Sequence, residues 1–149
     1  MTSETSGPAG QPRGALATRT LAMPADANPS GDIFGGWVLS QMDIAGGITA
    51  GTFAAGRVAT VAVDAMTFHR PVYVGDVLCT YADIIRRGRT SLAIHIEAWA
   101  QRGRQGDRVK VTQGVFTFVA IDDQGKPRPL PEVMVSGTDH LTDKEEPAA

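Results

Sequence analysis

The sequence holds a single cysteine, Cys79, so no intrachain disulfide can form, and a reducing, cytosolic compartment is expected. Cys79 reads as a small apolar strand residue, because no histidine or positive cluster stands beside it to make a reactive thiolate. No run approaches the roughly 18 to 20 apolar residues that cross a bilayer. The first fourteen residues have no apolar stretch of the kind a leader needs. A membrane partner is therefore not expected. Basic excess is missing too: the net charge is −2, which argues against a nucleic-acid partner. There is no phosphate-loop glycine motif, no GxSxG elbow and no HExxH pair. The three histidines, His69, His95 and His140, lie far apart, so neither a metal site nor a resident cofactor is expected.

The 149 residues suit one domain, and 42 % hydrophobic content suffices for its core. Residues 1–12 are small and polar and read as a disordered tail, and residues 134–149 as an acidic, flexible one. Between them, 13–133 reads as one folded unit. Ala15–Met23 is a short candidate strand, and Pro24–Gly35 carries two prolines and two glycines and reads as a loop. From Gly36 to Gly56, Trp37, Met42, Ile44, Ile48 and Phe53 stand among small residues, a helix despite its five glycines. So many small residues imply close packing against another surface. Strands follow over Val58–Phe68, Asp76–Ile85, Ser91–Gln101 and Val109–Ile121, with a basic turn at Arg86–Arg89. The outward strand faces are expected to carry Tyr81, Trp99 and Phe118, and His95 to lie at a surface or interface. One helix before an antiparallel meander is an α+β layout, with five strands curled around a long helix.

The chemistry concentrates between Asn28 and Asp43. Gly35 and Gly36 at a helix entrance leave backbone N–H groups uncovered and let a ligand come close. That suits a carbonyl oxygen that becomes negative during attack. Asp43, seven residues after Gly36 and on the same helix face, is a candidate general base or nucleophile. Seven residues rise about 10 Å, too far for one chain's Gly36 and Asp43 to hold the same carbonyl. A two-fold partner removes the conflict, so a site shared between subunits is expected.

The stretch N-P-S-G-D-I-F-G-G-W-V-L-S-Q-M-D, residues 28–43, resembles the signature of bacterial acyl-CoA thioesterases of the YciA type. The likeness continues through Thr60-Val-Ala-Val-Asp64, Thr67-Phe68-x-x-Pro71-Val72, Val74-Gly75-Asp76, Gly88-Arg-Thr-Ser91 and the run from Val115 to Asp122. The resemblance implies a hot-dog fold and hydrolysis of acyl-CoA to free acid and coenzyme A without a metal. It also implies homodimers assembled as a trimer of dimers, a hexamer. It marks Asp43 as the catalytic carboxylate, Asn28 as orienting the thioester or the attacking water, and Gly36 as the oxyanion-binding position. Thr112-Gln113-Gly114 departs from the family pattern, where an acidic residue or alanine is usual.

Coenzyme A also needs partners for its phosphates. Seven basic residues and two acidic ones lie between Arg86 and Lys110. Arg87, Gly88, Arg89, Thr90 and Ser91 at the tight turn are candidates, with Arg70 in addition. Gly35, Ser40 and Thr67 complete the expected substrate-binding set. Each has a plain alternative: Asn28 as a turn former, Ser40 as a small packing residue, the arginines as solubilising turn residues. Two rival functions remain. A hot-dog hydratase needs a His–acid pair, and no histidine is expected in or near the Asn28–Asp43 segment. A non-catalytic acyl-CoA-binding or sensor module needs no carboxylate at Asp43.

Overall fold

The computed structural model describes residues 10–104 and 106–132. The expected tails, 1–12 and 134–149, lie outside these apart from residues 10–12. Strand β1 spans Ala15–Leu21, followed by a single 3-10 turn at Pro24–Asp26. Helix α1 spans Gly35–Ala54, so it begins at Gly35 itself. Four strands follow: β2 Val58–Val63, β3 Val77–Arg87, β4 Ser91–Gln101 and β5 Arg108–Ala120. They form one antiparallel sheet in the order β1-β3-β4-β5-β2, with α1 on one face. This is the hot-dog fold.

Period-two alternation along β4 turns Leu92, Ile94, Ile96, Ala98 and Ala100 toward the helix. They meet Val38, Met42, Ala45, Ala50 and Ala54 of α1, all buried. Burial of a side chain such as Met42 stabilises by about 1.5–3 kcal/mol. The helix sits so close that a Cβ at Gly46 would lie 2.5 Å from the Phe118 ring and 2.8 Å from Ile96 Cδ1. The glycines that weaken the helix by propensity thus include one that the packing requires. At its far end the helix stops at Ala55, held in the left-handed region at φ 53°. The Arg128 guanidinium donates to the Ala54 carbonyl at 3.0 Å and places positive charge at the helix C-terminus.

Three expectations are corrected. Phe118 faces the helix and belongs to the core, because the β4–β5 register sets it opposite the inward-facing Leu92. His95 is buried on the opposite face under its neighbours, its Nδ1 3.9 Å from Glu97 Oε2. Burial, followed by the positive charge of Arg13, lowers its pKa. The strand expected over Val58–Phe68 leaves the ladder after Val63. Residues 64–69 still run along β5, but with irregular bonds: Asp64 N–H to Val115 O, His69 N–H to Val111 O, and Thr112 Oγ1 to the Thr67 carbonyl. Gly114 makes room for this path, since a Cβ there would lie 2.8 Å from Met66 Cγ. Thr112 and Gly114, with the carbonyls of Val111 and Val115, thus seat the 64–69 segment. At the basic turn, Arg86 and Arg87 belong to the end of β3, and the reversal itself is made by Gly88–Thr90.

Replacing Gly46 with valine should destabilise the fold by about 1–3 kcal/mol, because the buried Phe118 ring has nowhere to move. Urea denaturation of the variant against the parent measures it.

Candidate active site

The approach to α1 is a tight loop organised by Asn28. Its Oδ1 accepts from the N–H of Ser30 at 2.9 Å and of Asp32 at 3.1 Å. The turn-forming role is therefore real, and it occupies only the acceptor end of the amide. Among the described residues nothing accepts from its Nδ2, which is left to donate outward. Phe34 then caps the helix without a side-chain hydrogen bond, and the first turn carries no acidic residue. The Phe34 carbonyl accepts from Trp37 and Val38. The N–H groups of Gly35 and Gly36 thus start the helix uncapped, at its positive end. Gly36 is exposed, and a Cβ there would meet nothing within 4 Å.

Asp43 lies half-buried two turns further along. Its Oδ1 accepts from Thr60 Oγ1 at 2.5 Å. Thr60 stands on β2, at the open edge of the sheet. This bond fixes one carboxylate oxygen and leaves the other to act. Thr60 was not among the expected site residues, although Thr60-Val-Ala-Val-Asp64 was already singled out as a motif. Only the crossing of β2 beneath the helix reveals the pair. Ser40 is exposed, but its hydroxyl donates back to the Trp37 carbonyl at 2.7 Å, so it can only accept from a ligand.

A cavity of about 320 Å³ opens beside the helix entrance, lined by Gly35, Val38, Phe68, His69, Arg70 and Val72 among others. Arg70 is thereby brought to the entrance, and Thr67 lies next to the lining. His69 joins them too, which corrects the expectation that no histidine stands near the Asn28–Asp43 segment. The residues of the β3–β4 turn lie elsewhere and divide in role. Arg87 donates to the carbonyls of Pro131 and Glu132, and Leu130 N–H bonds to the Arg89 carbonyl. Arg87 therefore anchors the end of the described chain, whereas the Arg89 side chain is exposed. A Cβ at Gly88 would lie 2.7 Å from Ser91 Oγ, a contact that rotation of the serine side chain relieves. The Thr90 carbonyl is taken by Ala120 N–H. Cys79 is buried in its strand as expected. Among the described residues no group of three or more His, Cys, Asp or Glu is placed to hold a metal ion. No helix among them is long and apolar enough to cross a membrane.

The fold is a hot-dog domain with an uncapped helix start and, two turns on, a carboxylate held by Thr60. The family model described as the thioesterase superfamily matches residues 30–106. The chain is 57 % identical over 123 residues to the acyl-CoA thioester hydrolase YciA of Salmonella typhimurium, covering 80 % of this chain and 92 % of that one. It is 55 % identical over 123 residues to the Escherichia coli protein of the same name, covering 80 % and 93 %. Among solved structures it is similar to a hexameric thioesterase from Yersinia pestis, with a TM-score of 0.79 and 57 % identity over 82 % of this chain and 99 % of that one. It is also similar to a hexameric broad-specificity acyl-coenzyme A thioesterase, with a TM-score of 0.78 and 46 % identity over 90 % of each chain. The chain belongs to the thioesterase superfamily, and within it to the acyl-CoA thioester hydrolases of the YciA type.

Removing the Thr60 hydroxyl leaves Asp43 without its orienting donor. A hydrogen bond to a charged group is worth about 1.5–3 kcal/mol, so Thr60→Val should lower kcat for thioester hydrolysis by about tenfold to a hundredfold. Thr60→Ser should keep most of the activity, and steady-state thiol release compares the two.

Proposed function

We propose that this chain hydrolyses acyl-CoA to a free carboxylic acid and coenzyme A, with Asp43 as general base or nucleophile. The observation that carries the reading is the pairing of an uncapped Gly35–Gly36 entrance with a mid-helix carboxylate oriented by Thr60. The thioester carbonyl oxygen accepts from the backbone N–H at Gly36, and the charge that develops on it during attack is met by fixed donors at the positive end of α1. The Asn28 amide donates toward the same carbonyl or the attacking water. Asp43 either takes a proton from that water or attacks the carbonyl carbon itself. The thiolate of coenzyme A leaves as the carbonyl reforms, and where Asp43 was the nucleophile water then hydrolyses the acyl–Asp43 anhydride to release the acid and restore the carboxylate.

The two halves come from two chains. Gly36 and Asp43 are separated by about 10 Å along one helix. Asp43 and Thr60 lie beside β2, which is an unpaired edge of the sheet. On that edge Val61 and Val63 are exposed, an apolar strip that a second copy would cover. A two-fold partner bonded there brings its own helix entrance toward this Asp43. A trimer of such dimers gives a hexamer, the assembly named for the matched structures. The nucleotide end of coenzyme A is met by Arg70 beside the entrance and by Arg89, Thr90 and Ser91 at the turn. The domain so defined spans 13–133, needs no metal or cofactor, and works in the cytoplasm.

Free-thiol release from short, medium and long acyl-CoAs tests the activity. Asp43→Asn should lower kcat by at least about a hundredfold. Background rates across the whole panel for the parent enzyme would leave a binding module instead, and water addition to an enoyl-CoA, served by His69, would indicate a hydratase. Sharing is tested by mixing. Chains carrying Asp43→Ala and chains carrying Gly36→Pro, each inactive alone, should regain part of the activity when refolded together. No recovery in mixed oligomers would rule out a site built from two chains.

A further inference from the structure

The Val74-Gly75-Asp76 motif has no part in the chemistry above, yet it holds the most heavily bonded buried carboxylate near the site. Asp76 is 4 % exposed. Its Oδ2 accepts from Tyr73 N–H at 2.9 Å and from Arg102 Nε at 3.1 Å. Its own N–H donates to the Tyr73 carbonyl at 3.0 Å. Arg102 continues outward: its Nη2 donates to the Pro71 carbonyl at 2.7 Å, and its guanidinium lies 4.5 Å from the centre of the Tyr73 ring. Gly75, at φ 94°, adopts the left-handed conformation that closes this turn, and its N–H donates to Ala22 O. The turn 71–76 is thus clamped from inside by Asp76 and from outside by Arg102.

That turn is the surface on which the helix approach is laid. Tyr73 pairs with Asp32 in an isolated antiparallel bridge, and Ile33 N–H donates to Val72 O at 3.0 Å. Ile33 and Val72 are both buried. The next residue is Phe34, the helix cap, and after it come Gly35 and Gly36. Only two residues therefore separate the register set on the turn from the N–H groups assigned to the carbonyl. A shift of the turn moves those donors as a unit. Arg102, by contrast, lies beyond the end of β4 and touches none of the proposed reacting groups.

We propose that Arg102 and Asp76 are positioning residues for the carbonyl-binding entrance, acting through the 71–76 turn and the Ile33–Val72 bond. The inference rests on the function proposed above. Arginine is needed at 102 because one planar fork reaches Asp76 and Pro71 while it stacks on Tyr73, which a lysine ammonium cannot do. Loosening the clamp leaves the substrate's nucleotide end bound while it misplaces the donors, so kcat suffers more than KM.

The test compares Arg102→Ala, Arg102→Lys and Asp76→Asn with the parent enzyme. Two readouts are used at a temperature where thermal melts show each variant folded. One is amide hydrogen exchange at Ile33, Phe34 and Trp37, whose N–H groups are bonded to the carbonyls of Val72, Asp26 and Phe34, and the other is steady-state hydrolysis of acyl-CoA. Expected are faster exchange at those three amides with exchange in β4 and β5 unchanged, and kcat lowered by about tenfold to a hundredfold with KM within about twofold. Arg102→Lys, which keeps the charge beside Asp76, should fall between the parent and Arg102→Ala. Unchanged exchange at the entrance overturns the clamp, whatever the rates. Faster exchange at the entrance with unchanged kcat overturns the carbonyl-binding role of Gly35–Gly36, and the proposal with it.

Discussion

The closeness of one helix to one sheet governs the rest of this molecule. Gly46 lies under the Phe118 ring with no room for a Cβ, so the depth at which α1 sits is set by contact rather than by loop length. One turn earlier on the same helix, Asp43 comes within a hydrogen bond of Thr60 on β2. A larger residue at 46 would lift this part of the helix and lengthen the bond between Asp43 and Thr60. Core packing and the geometry of the carboxylate are therefore one constraint. The glycines cost helix propensity, and the offset comes from burial along Val38, Met42, Ala45, Ala50 and Ala54 and from Arg128 at the C-terminal end.

The entrance follows a complementary logic. Most helices satisfy their first N–H groups with a Ser, Thr, Asp or Asn side chain. Here the cap is Phe34, which has no side-chain acceptor, and Asn28 in the loop before it spends its Oδ1 on that loop. The first turn also lacks an acidic residue that would take those donors. Donors left free at the surface cost little because water meets them, and they remain open to a ligand oxygen. Rigidity comes instead from backbone bonding to the 71–76 turn, which fixes the donors without covering them.

Much of this was legible in the sequence, and the reasons for success and failure are physical. The helix was visible because its apolar residues recur among small ones over about twenty positions, and β4 because its alternation is strict. The Asn28–Asp43 segment stood out because glycines at a helix start and a carboxylate on an apolar helix are both unusual. Thr60 could not be chosen, because a threonine in a Val- and Thr-rich strand is ordinary until the strand is seen to cross beneath Asp43. The face of Phe118 was misread because alternation within β5 does not by itself say which set of residues points inward, and its place opposite Leu92 on β4 does. Arg87 looked free at a basic turn, yet its partners are backbone carbonyls more than forty residues away, which no local pattern encodes. His69 was separated from Gly35 by thirty-four positions of sequence and meets it only at the entrance cavity.

The separation of Gly36 from Asp43 along one helix is best understood as a solution to competing demands. Free N–H groups at a helix start are useful to a developing oxyanion only while no carboxylate of the same chain reaches them. An acidic residue in the first turn would occupy those donors and lose its freedom to act on water or carbon. Two turns of separation, about 10 Å, keep both groups uncommitted. The same distance prevents a single chain from using them on one carbonyl. A two-fold partner docked along the β2 edge restores proximity without restoring the internal competition, since each entrance then faces a carboxylate held on the other chain by its own Thr60. If the proposed shared site holds, the exposed Val61 and Val63 of the β2 edge and the incomplete half-site have one cause, because the contact that covers the edge would also complete the chemistry.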